Sequence, residues 1–472
     1  MVALNASHFS KKIANIPLTI LYGIFMVFAG SVGLIMTPPF LVPDEPSHFI
    51  RAYQVAQGGM TGTRISPTQS GAYLPETVVD IAKPFAPFFS DKDEKITESI
   101  MAQAFDMQWS SPPTFVNMPN TVIYPPTSYI GGAAGIFVAN RLNASPLSTF
   151  YLARTGNLII NTCLGMLALW IAGDAGIFLL LLLTMPACVS LESSCSQDGL
   201  ILGLTALAVS ILLQFAKKPA TDWNNWLVVG LSLALGCIAA AKMPYLSFIC
   251  LPLFVCSLKE WKKPLSILGG SLAIFLLWTL FQHHSSVPLS GLPGSSAAEQ
   301  LHLLMSSPTK VINVTLTTLR LKSGHLFRQV MGMLGWGYVN LPKKFYALGE
   351  IALFLSFMWP FFGKLKSVRN KEFLIKTSLL LGVFLVTTEG IFMVLYLVFS
   401  PVGAAYVFGL QGRYFIPLFM ILALCPTFLP KASSPSEVSP VLAKPCLARI
   451  LLTLFMLYSL YTLYNILCSH YW

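Results

Sequence analysis

Val42-Pro43-Asp44-Glu45-Pro46-Ser47-His48-Phe49-Ile50-Arg51 follows directly on an apolar run, about residues 17–36, long enough to cross a bilayer as a helix. Two adjacent carboxylates, a histidine and an arginine therefore stand where a membrane span meets water. Ionisable groups at that depth are costly to desolvate, so a functional role is the first reading for such a cluster. The bland alternative is a charged loop that caps the helix. Prolines 38, 39, 43 and 46 favour the first reading, because they stiffen the backbone around the acids. They also place a break before a short amphipathic helix from His48 to about Gln57.

Working outward, composition agrees with a membrane protein. Of 472 residues 55% are apolar and only 10% are charged, against about a quarter charged in soluble chains. The first apolar run is too long for a cleaved signal peptide and lacks a small-residue cleavage site after it, so it is expected to remain as a span. The nine cysteines are scattered, mostly inside apolar runs, and imply no disulfide framework. The net charge of +11 does not argue for nucleic acid; short basic loops on one membrane side produce it.

Alternation of apolar runs and basic loops predicts about 11 transmembrane helices in an all-α polytopic protein. Lys11 and Lys12 put the amino terminus on the basic, cytoplasmic side, and a first long outer loop covers about 37–145. Spans are expected at 17–36, 147–171, 175–190, 198–216, 226–241, 244–258, 264–282, 348–363, 373–400, 413–429 and 447–468. A second outer loop covers about 283–347. Lys217, Lys218, Lys259, Lys262, Lys263, Lys364, Lys366, Arg369, Lys371, Lys431 and Lys444 then all fall on one side. The helices at 226–241 and 244–258 are short for a crossing and read equally as half-helices. Residues 1–430 form the expected catalytic domain, and 431–472 a cytoplasmic loop with a final transmembrane helix.

No internal repeat, P-loop, Rossmann, zinc-binding or nucleophile-elbow pattern is present. What remains is a set of polar residues that the topology brings to the outer face: Asp44, Glu45, His48 and Arg51; Tyr124 and Tyr129; Arg154; Asp198; Lys242; Trp336 and Tyr338; Gln411, Arg413 and Tyr414. Each has an ordinary reading. Arg154 and Arg413 could snorkel to lipid headgroups. Asp198 suits a helix N-terminus. Trp336 and Tyr338 fit an aromatic belt as well as a sugar platform. Taken together, cations facing a carboxylate pair suit a lipid-linked phosphate and a hydroxyl acceptor.

Several of these residues carry a family resemblance. Pro43-Asp44-Glu45-Pro46-x-His48-x-x-Arg51-x-Tyr53, Tyr124-Pro125-Pro126-x-x-Tyr129, Arg154 with Asn157, Ser196-x-Asp198, Lys242-x-Pro244-Tyr245, Gly335-Trp336 and Gln411-Gly412-Arg413-Tyr414 occur in that order. Over about 36–430 the chain resembles the bacterial multi-pass membrane family known as domain of unknown function 2142, which is similar to glycosyltransferases of the GT-C fold. The resemblance implies a polyprenyl-phosphate sugar donor and an active site on the periplasmic side of the bacterial inner membrane. It also implies a catalytic acid on the first outer loop, here Asp44 or Glu45. One departure is that Gly335-Trp336 continues as Gly337-Tyr338-Val339-Asn340, without an acid.

The expected activity is inverting transfer of the sugar to a cell-surface glycan such as O-antigen, or to a lipid-linked acceptor, with Asp44 or Glu45 as base. Arg413, Lys242 and Arg154 are expected to hold the donor phosphate, and the other outer-face residues to contact substrate. Adjacent carboxylates can supply oxygens to Mg2+ or Mn2+, although a site needs more ligands than two. Membrane lipids are the expected surroundings; no nucleic acid partner is implied, and oligomeric state is not encoded legibly. The rivals are a flippase of lipid-linked sugars, in which Glu389 would carry a proton or ion, and a glycan polymerase or ligase.

Overall fold

A computed structural model describes residues 16–89, 94–256, 260–289, 291–361, 368–430 and 445–472. Lys11, Lys12, Asp91, Lys92, Asp93, Lys259, Lys364, Lys366, Lys431 and Lys444 lie outside these segments.

Long apolar sequences without proline in their interiors form the frame: α1 (Leu18–Met36), α4 (Pro146–Ala172), α7 (Gln197–Phe215), α9 (Lys262–Gln282), α12 (Lys371–Val398) and α14 (Pro445–Tyr471). Among the described residues six helices are long and apolar enough to cross a membrane, and they fall on expected spans 1, 2, 4, 7, 9 and 11. The second of the six runs on into expected span 3, and the other expected spans are short or broken in the structure. Span 3 is two seven-residue helices, α5 (Ile177–Leu183) and α6 (Pro186–Glu192), interrupted before Pro186. Span 5 is the 17-residue α8 (Asn225–Ala241), and span 6 a 3₁₀ run, Met243–Cys250, followed by Pro252–Val255. Span 10 opens as 3₁₀ at Gly412–Phe415, continues as α13 (Ile416–Ile421) and returns to 3₁₀ over Leu422–Phe428. Span 8 is the 16-residue α11 (Lys343–Met358).

The first connecting segment holds α2 (Glu45–Ala56), α3 (Ile130–Arg141) and a small antiparallel sheet. Its strands are β1 (Thr63–Arg64), β2 (Ser70–Leu74) and β3 (Thr114–Asn117), with Gly71 opposite Asn117 and Leu74 opposite Thr114. The fold is mostly helical and not purely so. The second segment is dominated by α10 (Thr309–Gly332), whose polar sequence hydropathy does not mark, and by the two-residue strands β4 (Met333–Leu334) and β5 (Val339–Asn340).

Alternation along the frame brings the end of α1, the starts of α4 and α7 and the end of α8 to one end of the bundle. The last residue is there too: Trp472 Nε1 donates to Met36 O at 2.8 Å. The described basic residues Lys217, Lys218, Lys262, Lys263, Arg369 and Lys371 follow or precede the opposite helix ends. Helix α3 lies unusually close to α4. A side chain at Gly135 would meet Leu152 O at 2.0 Å, and one at Gly156 would meet Gly131 O at 2.1 Å, so small residues set this contact.

Candidate functional site

The site is built from two acid–arginine pairs that begin at adjacent residues. Arg154 is fully buried on α4, and all five of its N–H groups are used. Nε and Nη2 bind Glu45 Oε1 and Oε2 at 2.8 and 2.7 Å. The remaining donors reach Leu34 O (3.0 Å), Thr37 O (2.7 Å) and Pro38 O (3.1 Å). Those carbonyls end α1, where helix geometry leaves acceptors unpaired and partial negative charge favours a cation. Glu45 Oε1 also accepts the Cys195 N–H at 2.9 Å. This knot therefore joins α1, α2, α4 and the α6–α7 turn. One and two turns further along α4, Asn157 donates to Ser194 O (2.8 Å) and Asn161 to Glu192 O (3.1 Å). The Arg154–Asn157–Asn161 stripe fixes the broken span 3 against span 2.

Asp44 is differently placed. It precedes Glu45 with φ 64°, a left-handed conformation that aspartate tolerates better than most residues, and its side chain makes no capping bond. The carboxylate instead binds Arg413 through Oδ2 while remaining 46% exposed. Arg413 Nη1 donates to Pro43 O at 3.0 Å and lies 3.1 Å from Asp198 Oδ2, close enough for ion pairing but without hydrogen-bond alignment. Asp198 in turn pairs with Lys242 through Oδ1. Lys242 sits where α8 ends, in an extended conformation before Pro244, and its ammonium lies 4.6 Å from the centroid of the Tyr414 ring. Asp44–Arg413–Asp198–Lys242 is thus a string of alternating charge with no net charge. Burial raises the Asp44 carboxyl, but Arg413 and His48 outweigh it and hold the group below the ordinary carboxylate range.

The neighbouring residues are largely positioning groups. His48 is buried, its Nδ1 2.9 Å from the Tyr129 hydroxyl, and burial pulls its pKa down to about 4. It is neutral near pH 7. Burial raises the Tyr124 and Tyr129 hydroxyls, which stay protonated. Arg51 is lowered to about 10 by burial and ties the first segment together through Gln54, Met60 O and Tyr124 O.

Beside Arg413 lies a cavity of about 290 Å³, bounded by Val42-Pro43, α6, the end of α10, Gly335-Trp336-Gly337 and Gly409–Arg413. Trp336 and Gln411 line it, while the Tyr338 hydroxyl is directed to Phe88 O. Trp336 Nε1 donates to Phe40 O at 3.2 Å, which fixes the indole at the wall. Sequence reading missed His325 and Gln329, which line the cavity from α10. The available signal was their i, i+4 spacing just before Gly335-Trp336.

Two expectations do not survive this geometry. Arg154 has no donor left for a phosphate, and Glu45 has both oxygens bound, so neither is open to substrate. A metal on the Asp44–Glu45 pair fits poorly for the same reason. Among the described residues no three His, Cys, Asp or Glu side chains gather to hold an ion. Glu389 accepts from the Thr315 hydroxyl at 3.0 and 2.9 Å, between α12 and α10.

No curated protein and no solved structure matches the chain. One family model does, from residue 25 to residue 422, an interval that contains every member of the charge string from Asp44 to Arg413. By that match, over most of its length, the chain belongs to the family of predicted membrane proteins called domain of unknown function 2142.

Proposed function

We propose that this protein is a GT-C-like membrane glycosyltransferase, moving a sugar from a polyprenyl-phosphate donor to a cell-surface glycan or lipid-linked acceptor. The reaction would take place at the extracytoplasmic face of the bacterial inner membrane. The observation that carries the reading is the Asp44–Arg413 pair: a half-exposed carboxylate coupled to a guanidinium that also borders a cavity. Asp44 is held through Oδ2, and Oδ1, with no hydrogen-bond partner among the described residues, is the oxygen that would accept a proton from an acceptor hydroxyl. That hydroxyl oxygen forms the new bond to the anomeric carbon as the bond from carbon to phosphate oxygen breaks. The bond electrons leave with the polyprenyl phosphate, and inversion follows from in-line attack.

The charge string couples these events. When Asp44 takes the proton, Arg413 loses one of its two anionic neighbours at the moment negative charge develops on the leaving phosphate. A cation released in this way can stabilise that charge without new reorganisation. Lys242, less buried than Arg413, is the second phosphate contact in this reading. Proton removal by a positioned base is worth about 10²–10⁴ in rate.

The test is transfer from a radiolabelled polyprenyl-phosphate sugar pool in membranes. Asp44→Asn should lose transfer at normal protein level. Full transfer in Asp44→Asn, with lipid-linked sugar trapped on the inner leaflet in Glu389→Gln, would favour the flippase instead.

A further inference from the structure

We propose that the cavity beside Arg413 takes a single neutral sugar ring of about hexose size, and that Gln329 is the residue that reads its hydroxyls. The proposal rests on the transferase reading and narrows its substrate class. At about 290 Å³ the cavity lies at the lower edge of the range, about 300–1,000 Å³, usual for small-molecule sites. It suits one ring and is too small to enclose an oligosaccharide.

The charges around it disfavour an anionic ring. Arg413 is the one permanently charged side chain among the described lining residues, and it already stands between Asp44 and Asp198. A carboxylate or sulfate held at Arg413 would stand beside a guanidinium already shared by half-exposed Asp44 and buried Asp198, without an uncompensated cation to offset their repulsion. His325 is pulled below its ordinary pKa by burial and by Lys322 and Arg328, and so is neutral near pH 7.

The hydrogen-bonding groups are oriented. Gly412 N–H can only donate, and it lies 2.6 Å from Gln329 Oε1, which fixes the amide with its NH2 on the other side. Nε2 then lies 3.2 Å from His325 Nε2, so that ring nitrogen accepts one amide hydrogen. The second amide hydrogen is directed to Met333 Sδ at 3.7 Å, a weak thioether acceptor that a ligand hydroxyl oxygen would displace. Gly337, at φ 88°, adopts a backbone conformation that side chains rarely take, and it lies against this amide. The fixed Trp336 indole supplies an aromatic wall of the kind that packs against sugar C–H faces.

The experiment is saturation-transfer NMR on the whole protein in nanodiscs, with methyl glucoside, methyl galactoside, methyl mannoside, glucuronate and maltotriose as probes. At least one methyl glycoside should bind, while glucuronate and maltotriose should not. Gln329→Glu keeps the acceptor for Gly412 N–H but removes both amide donors, and should weaken binding about fivefold or more, the worth of one hydrogen bond. His325→Ala, on the exposed face of α10, should weaken it as well and serves if the first variant misfolds. Asp44→Asn should bind the glycoside as the wild type does. No glycoside binding by the wild type, equal binding by the Gln329 and His325 variants, or equal binding of maltotriose or glucuronate would overturn the proposal. Transfer that persists in Asp44→Asn alongside normal glycoside binding would overturn the transferase reading and leave the subsite standing.

Discussion

Asp44 and Glu45 are neighbours in sequence, and each is paired with an arginine far along the chain, yet the two pairs have opposite characters. Glu45–Arg154 is sealed: both side chains are fully buried, every guanidinium donor is satisfied, and three of those donors close the end of α1. Asp44–Arg413 is open: one oxygen is bound, nearly half of the carboxylate is exposed, and the arginine is shared with a second acid. One residue of helix geometry separates them. The left-handed turn at Asp44 sends its side chain out of α2, while Glu45, the first helical residue, points into the bundle. Two acids that look interchangeable in sequence are a structural anchor and a chemically available group.

The largest effect should come from the sealed pair. Removing one partner of a buried ion pair leaves an uncompensated charge, at a cost of about 3–5 kcal/mol. Arg154→Met should therefore reduce folded protein severely, read as monodisperse yield and as the midpoint of an SDS titration in mixed micelles. Wild-type yield and midpoint would show that the knot does not hold the fold. Next in size is the open pair: Asp44→Asn should lower transfer by about 10²–10⁴ while Glu45→Gln lowers the amount of protein rather than its turnover.

His48, one turn into the helix that the two acids begin, gives a pH test. Its folded pKa of about 4 lies below the ordinary 6.5, so the unfolded chain binds the proton first as pH falls. The stability His48 contributes is complete above pH 6.5 and is lost between 6.5 and about 4, amounting to roughly 3 kcal/mol. His48→Gln should flatten the stability profile across that interval; an unchanged slope would contradict a buried neutral ring. The smallest effect is on stability in Asp44→Asn. A half-exposed pair is worth no more than about 1 kcal/mol. Since the Asp44 pKa is depressed, that share is present above the ordinary value of 3.8 and is lost only below it. Wild type and Asp44→Asn should thus differ little in SDS midpoint from pH 5 to 8.

The same contrast explains what the sequence disclosed. Long spans such as α1 and α12 are legible because hydropathy sums over 19 or more residues. The broken elements are not, because Pro186, Pro244, Pro252, Pro417 and Pro426 divide them into pieces too short for a window to distinguish from a crossing. The cluster of functional residue types was visible, but its pairing was not. Glu45 and Arg154 are 109 positions apart and Asp44 and Arg413 are 369 apart, and no local pattern says which acid meets which cation. Arg154 read as a phosphate ligand because its carbonyl partners at the end of α1 are backbone atoms, which sequence does not advertise. Gln329 and His325 escaped because α10 is amphipathic and lies in a segment that reads as a loop.

The central claim is that one of the two adjacent acids is accessible to chemistry and the other is not. Carboxyl labelling of the folded protein with a water-soluble carbodiimide and an amine, located by peptide mass spectrometry, tests it without any substrate. Modification of Asp44 with Glu45 unmodified until the protein is unfolded is the predicted result. Labelling of Glu45 at a rate comparable to Asp44 in the folded protein would contradict the account.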